Sequence, residues 1–135
     1  MAKWENNSES LIQSALLAYK KAYAPYSCYA VGAAVLGDNG IIYTGCNVEN
    51  AVYPLTLCAE RVAIMKAVSE GVHHIEAVAV VTKNGGSPCG SCRQVMREFA
   101  DDNLPVYISN LEGQYEQMTL GQLLPKSFSA ADLTK

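Results

Sequence analysis

The chain has 135 residues, half of them hydrophobic and 17% charged, with a net charge of −3. That length and balance fit one globular domain with a sizeable core and exclude a disordered chain. The acidic excess, with no basic run anywhere, excludes the usual footprint of a nucleic-acid or anionic-membrane partner.

Ser8 can cap a first helix, along which Leu11, Ile12, Ala15, Leu16 and Tyr19 recur at helical spacing. Residues 23–26, which hold Pro25, read as a loop. Residues 29–36 and 41–44 read as strands flanking Gly37-Asp38-Asn39-Gly40, a strong hairpin turn. Residues 46–56, CNVENAVYPLT, are irregular and polar for their length, which suggests a loop with a task. A second helix starts near Thr56 or Leu57 and stops at Gly71, a glycine suited to a left-handed C-cap.

Residues 75–81, IEAVAVV, form a nearly continuous apolar run, as in a strand buried on both faces. A glycine-bearing loop follows at 83–87. Pro88 sits where a helix can start without its N–H, and residues 89–99 carry that helix. Residues 106–109 read as a strand, 119–124 as a short helix stopped by Pro125, and 127–133 as a further short helix. The order αββαβαβαα implies an α/β fold, a three-layer α/β/α sandwich with a mixed sheet, in a single domain over 1–135.

No segment approaches the roughly 20 apolar residues that cross a bilayer, and MAKWENNSES lacks the apolar core of a signal peptide. A cytoplasmic, reducing setting is expected. There, five cysteines read as metal ligands or buried thiols before disulfides.

Cys89-Gly90-Ser91-Cys92 places two thiols one turn apart at a helix start, where the helix favours anions and so thiolates. A lone C-x-x-C is also a redox pair or half of a structural zinc site. The redox reading is weakened because the motif comes late, after glycine loops. A structural site needs a fourth ligand; Cys28, Cys46, His73 and His74 are available, none at a helpful spacing. Cys28 and Cys46 are expected to be buried thiols, and the histidines to cap a helix or face solvent. Cys58, at the start of the other helix, is the natural third ligand of a zinc that keeps one position open.

Glu60 stands two residues after Cys58. A glutamate beside a metal, but not bound to it, can take a proton from water and pass it to a leaving group. C-x-E followed by P-C-x-x-C is the zinc-deaminase signature, with cysteine in place of the first histidine. The competing reading is a solvated acid at a helix start. Three thiolates and Zn²⁺ leave one net negative charge, which would make the site a weaker source of hydroxide. A guanidinium on the sulfurs offsets that, and Arg61 is placed to supply it, unless it is a plain surface arginine.

CAER, SPCGSCRQV, GCNVENA and APYS…VGAAV together resemble the short, homotetrameric cytidine deaminases of pyrimidine salvage. The likeness runs from about Leu11 to Leu133, including the LLP…FS…DL ending. It implies one Zn²⁺ per chain on Cys58, Cys89 and Cys92, with Glu60 as proton shuttle. It further implies that Asn47 and Glu49 hold the ribose 3′-hydroxyl, that the backbone at Ala59 meets the base, and that Tyr29 stands against the pyrimidine. Phe128, and more loosely Ala51 and Tyr53, would reach a neighbouring subunit's ligand in a homotetramer with shared active sites. The implied reaction converts cytidine and 2′-deoxycytidine to uridine and 2′-deoxyuridine and releases ammonia. Two neighbouring readings are a deaminase of another aminopyrimidine, such as a nucleoside antibiotic, and a structural zinc module for protein interaction. A nucleic-acid deaminase is disfavoured by the acidic balance and the lack of a basic, aromatic-lined channel.

Overall fold

The structure is a computed structural model, and it describes residues 3–133. β1 (Val31–Gly37) pairs antiparallel with β2 (Ile42–Cys46) on one side and β3 (Ile75–Thr82) on the other. β3 runs parallel to β4 (Pro105–Ser109), and β4 pairs antiparallel with β5 (Tyr115–Thr119). The sheet is therefore mixed, in the order β2-β1-β3-β4-β5. A parallel pair needs a crossover, and α3 (Gly90–Phe99) provides it between β3 and β4.

The alternation along the strands splits the core into two. Val35, Val78, Val80, Val106 and Ile108 pack on one face with Ala63 and Ile64 of α2 (Ala59–Ser69) and Met96 of α3. Ala34, Ala77, Ala79, Val81 and Tyr107 pack on the other with Leu11, Ile12 and Ala15 of α1 (Lys3–Tyr19). The three-layer α/β/α expectation and the doubly buried central strand both hold. α4 (Leu120–Leu123) closes the first face beyond β5, with Thr119 and Gln122 forming a reciprocal capping box.

Two glycines let helices lie directly on strand backbones. A Cβ on Gly32 would fall 2.0 Å from the Ala15 carbonyl oxygen of α1, and one on Gly45 would fall 2.6 Å from the backbone of Ala59 and Ala63. Gly45 thus brings the start of α2 onto the end of β2, beside the loop that carries Asn47 and Glu49.

Several boundaries differ from expectation. α1 spans Lys3–Tyr19, with Ser8 buried inside it rather than capping it, because extending a packed helix by polar residues costs little. The second and third helices begin later than their sequences suggest, at Ala59 and Gly90, so Cys58 and Cys89 are their N-caps and Pro88 lies just outside. The strand β5 is an addition. It is an exposed edge strand, YEQMT, whose pattern shows no apolar face.

Candidate active site

The two cysteine-bearing helix starts meet beyond the carboxyl end of β3, where open α/β sheets generally bind ligands. Neither Cys58 nor Cys89 caps its helix through a side-chain hydrogen bond, so both sulfurs are left for other work. The Sγ atoms of Cys58, Cys89 and Cys92 all lie within 4.8 Å of one another, with Cys89 and Cys92 only 3.5 Å apart. A tetrahedral zinc with Zn–S bonds of about 2.3 Å spaces its sulfurs about 3.8 Å apart. The spread of the trio suits that metal. Among the described residues it is the only cluster of metal-ligating side chains, and neither histidine joins it.

The charges support the fit. The Cys92 thiol hydrogen-bonds towards Cys58 and, with help from Arg61, holds Cys58 at a pKa of about 5. The same sharing with Cys58, together with burial, pushes the Cys92 thiol up. One thiolate forms readily and the next resists, so full ionisation of the trio calls for a cation. Arg61 Nη2 donates to Cys58 Sγ at 3.7 Å and to the Thr56 carbonyl at 3.4 Å, while its buried Nε has no partner among the described residues. The guanidinium is therefore turned onto the sulfurs and is not a surface arginine.

Glu60 is 4% exposed, in the first turn of α2. Burial first, and then the Cys58 charge, raise its carboxyl to about 7, against opposing pulls from its backbone N–H hydrogen bond and, more weakly, from Arg61. A carboxyl poised there can both accept and return a proton near neutral pH.

Cys58, Cys89 and Glu60 border a cavity of about 280 Å³, whose walls also include Tyr29, Asn47, Glu49 and Ala59. That is close to the lower end for small-molecule sites, about 300 Å³. A larger groove of about 540 Å³ lies at the opposite ends of β3 and β4, beside Ile75 and Pro105. It contains no thiol, and the chemistry is in the smaller cavity.

Asn47 is buried, and its amide bridges the strand entrance: Oδ1 accepts from Val31 N at 2.9 Å, and Nδ2 donates to the Tyr29 carbonyl at 2.8 Å. One N–H and one lone pair remain free for a ligand. Glu49 Oε1 accepts from the backbone N–H groups of Tyr26 and Ser27, both at 3.0 Å, and Oε2 accepts from the Ser27 hydroxyl. The Ser27 hydroxyl is the main reason the Glu49 carboxyl sits below the usual carboxylate range. The turn that presents these donors holds Cys28 at a left-handed φ of 56°.

Other expected residues fall outside the cavity of this chain. Ala51 is exposed, and Tyr53 is 69% exposed, its ring 5.8 Å from that of Tyr26. Phe128 is 57% exposed, and its carbonyl accepts from Gln94 Nε2 at 2.9 Å. Cys28 is exposed and Cys46 half-buried, so the expectation of two buried thiols is corrected. His73 and His74 face solvent. Sequence reasoning missed Ser27, Thr82 and Asn84, which fix the walls; short polar residues near glycines carry no signal that separates such work from turn chemistry.

The site brings convergent thiols at two helix starts together with a buried proton-accepting carboxyl, the outline of a metal-dependent hydrolytic enzyme. Residues 5–108 match the family described as the cytidine and deoxycytidylate deaminase zinc-binding region. A cytidine deaminase of Sporosarcina psychrophila is 51% identical over 128 residues, covering 93% of this chain and 94% of that protein. One from Halalkalibacterium halodurans is 47% identical over 93% of this chain and 96% of its own length. The crystal structure of cytidine deaminase from Burkholderia pseudomallei superposes with a TM-score of 0.85 at 42% identity, covering 95% of this chain and all of that one. The chain belongs to the cytidine deaminase family and is an enzyme.

Proposed function

We propose that this chain hydrolyses cytidine and 2′-deoxycytidine to uridine and 2′-deoxyuridine with release of ammonia, in cytoplasmic pyrimidine salvage. The observation that carries the reading is Glu60, buried beside the thiol trio in the same cavity as Asn47 and Glu49. Cys58, Cys89 and Cys92 would hold one Zn²⁺ per chain. When bound, zinc supplies a Lewis acid that makes water acidic enough to attack near neutral pH.

The residues divide the remaining work. Glu60 takes a proton from the attacking water and gives it to N3 of the pyrimidine as C4 gains its oxygen. The carboxylate then takes the second proton from the oxygen now on C4 and hands it to the amino group, so that the C4–N bond breaks, ammonia leaves and the uracil carbonyl forms. Burial suits this double role, since the carboxyl gains and loses its proton near pH 7. Asn47 and Glu49 are immobilised by backbone, which favours a neutral sugar hydroxyl that needs both a donor and an acceptor. The backbone at Ala59 meets the base, and Tyr29 walls it. Arg61 offsets the charge on the sulfurs.

We read the chain as one catalytic domain that works as a homotetramer. The exposed Tyr53 and Phe128 rings, which do not line their own cavity, support contributions to a neighbour's site. Ala51, exposed in the same loop as Tyr53, belongs with them. The test is absorbance loss on mixing with cytidine, with uridine and ammonia quantified in equal amounts. Conversion of cytidine supports the assignment; a zinc-loaded protein that leaves cytidine and deoxycytidine intact refutes it.

A further inference from the structure

Tyr29 makes a contact that its ring position alone does not require. Tyr29 lines the cavity, and its hydroxyl donates to Asn84 Oδ1 at 2.6 Å. The same amide oxygen accepts from the Thr82 hydroxyl at 3.2 Å, and that hydroxyl accepts from Gly86 N at 2.7 Å. Both lone pairs of Asn84 Oδ1 are taken, and the Thr82 hydroxyl donates once and accepts once. Thr82 is only 2% exposed, so the chain of bonds is anchored in the sheet end. A Cβ on Gly86 would fall 2.6 Å from the Tyr29 hydroxyl, so the loop backbone is pressed against it. Lys83 lies over the same ring, its Nζ 5.7 Å from the centroid.

Thr82, Gly86 and Ser87 are themselves walls of the cavity, opposite in the chain to Tyr29. We propose that the Tyr29 hydroxyl is a strut across the cavity mouth: through Asn84 and Thr82 it ties the aromatic wall to the loop of residues 83–87 and thereby fixes the fit around the pyrimidine. A phenylalanine would supply the ring without the tie. Tyr29 and Asn84 are positioning residues, and their effect falls on binding rather than on proton transfer. The proposal rests on the cavity's being a cytosine-nucleoside site.

The experiment is a double-mutant cycle with Tyr29→Phe, Asn84→Ala and the pair, read by cytidine kinetics, zinc content and amide hydrogen exchange of residues 83–87. A net hydrogen bond is worth about 0.5–1.5 kcal/mol, so each single change should raise KM by about 2- to 12-fold. kcat should stay within about twofold and zinc content should be unchanged. Exchange in the 83–87 segment should quicken by a similar factor, and the pair should be no worse than the worse single change, as for groups acting through one contact. Unchanged KM with unchanged exchange, or fully additive effects, would overturn the strut. If the unaltered protein does not turn over cytidine, the substrate reading fails on its own. The exchange comparison then still decides the tie, since it needs no substrate.

Discussion

Glu60 combines two demands that conflict: a mechanism that needs an ionisable group and a site that excludes water. Its carboxyl is raised from 4.5 to about 7, so the folded chain binds that proton more tightly than the unfolded chain. The stability this contributes is present in full below the unfolded value and is lost as pH rises to about 7. Glu60→Gln should therefore stabilise the chelator-treated protein by roughly 3 kcal/mol above pH 7 and by almost nothing near pH 4. Urea unfolding of both proteins at fixed concentration and two pH values measures this, and equal midpoints at high pH would show that the carboxyl is not strained. Arg61 acts on the neighbouring sulfur. Arg61→Ala should move Cys58 ionisation upward from about 5, read by mass-mapped alkylation against pH in chelated protein. Turnover should fall about 10- to 100-fold, as when groups supporting a metal ligand are removed. A slower enzyme with unmoved Cys58 ionisation would rule out charge compensation as its role.

At the level of elements, the site exists because two helices begin at the same place, and glycines set how closely they approach the sheet. Gly32→Ala forces a methyl group onto the α1 backbone and should cost about 1–3 kcal/mol, the usual penalty for overpacking. At Gly90 an added Cβ meets nothing within 4 Å, and alanine is the better helix former, so Gly90→Ala should be neutral or slightly stabilising. Denaturant midpoints of the two variants give the comparison. Equal losses would mean that the close approach of α1 and β1 does not matter. The same elements show what sequence carries. Apolar periodicity marked β3 and the helices because burial leaves a pattern, and the thiol and carboxylate spacing marked the metal-capable centre because ligand geometry is local. β5 escaped because its stability comes from pairing with β4, and an exposed edge has no apolar face to display. The helices start later than their sequences suggest because residues that cap a helix and residues that ligate share the same polar, small character. The hydrogen bonds of Ser27 to Glu49 and of Tyr29 to Asn84 span 22 and 55 residues, distances over which single-sequence patterns say nothing.

For the whole molecule, the exposed apolar groups argue for assembly. Val52, Tyr53, Leu55, Leu57 and Phe128 are between 46% and 69% exposed, and such surface is usually covered by a partner. The particle should scatter light as four copies of a 14.5 kDa chain. Phe128→Ala should lower turnover at least about tenfold, a loss of about 1.4 kcal/mol, while each chain keeps its zinc. A fully active monomer would remove the shared-site reading.

The proposed mechanism turns on a buried carboxyl that moves protons beside a zinc held by the thiols. Turnover of cytidine and zinc per chain, measured together on Glu60→Gln, test it most directly. One zinc per chain should be retained and the rate should fall at least about 10²-fold, the lower range for positioned acid–base catalysis. Near-normal turnover, or zinc lost in step with activity, would contradict it and make Glu60 a bystander or a ligand.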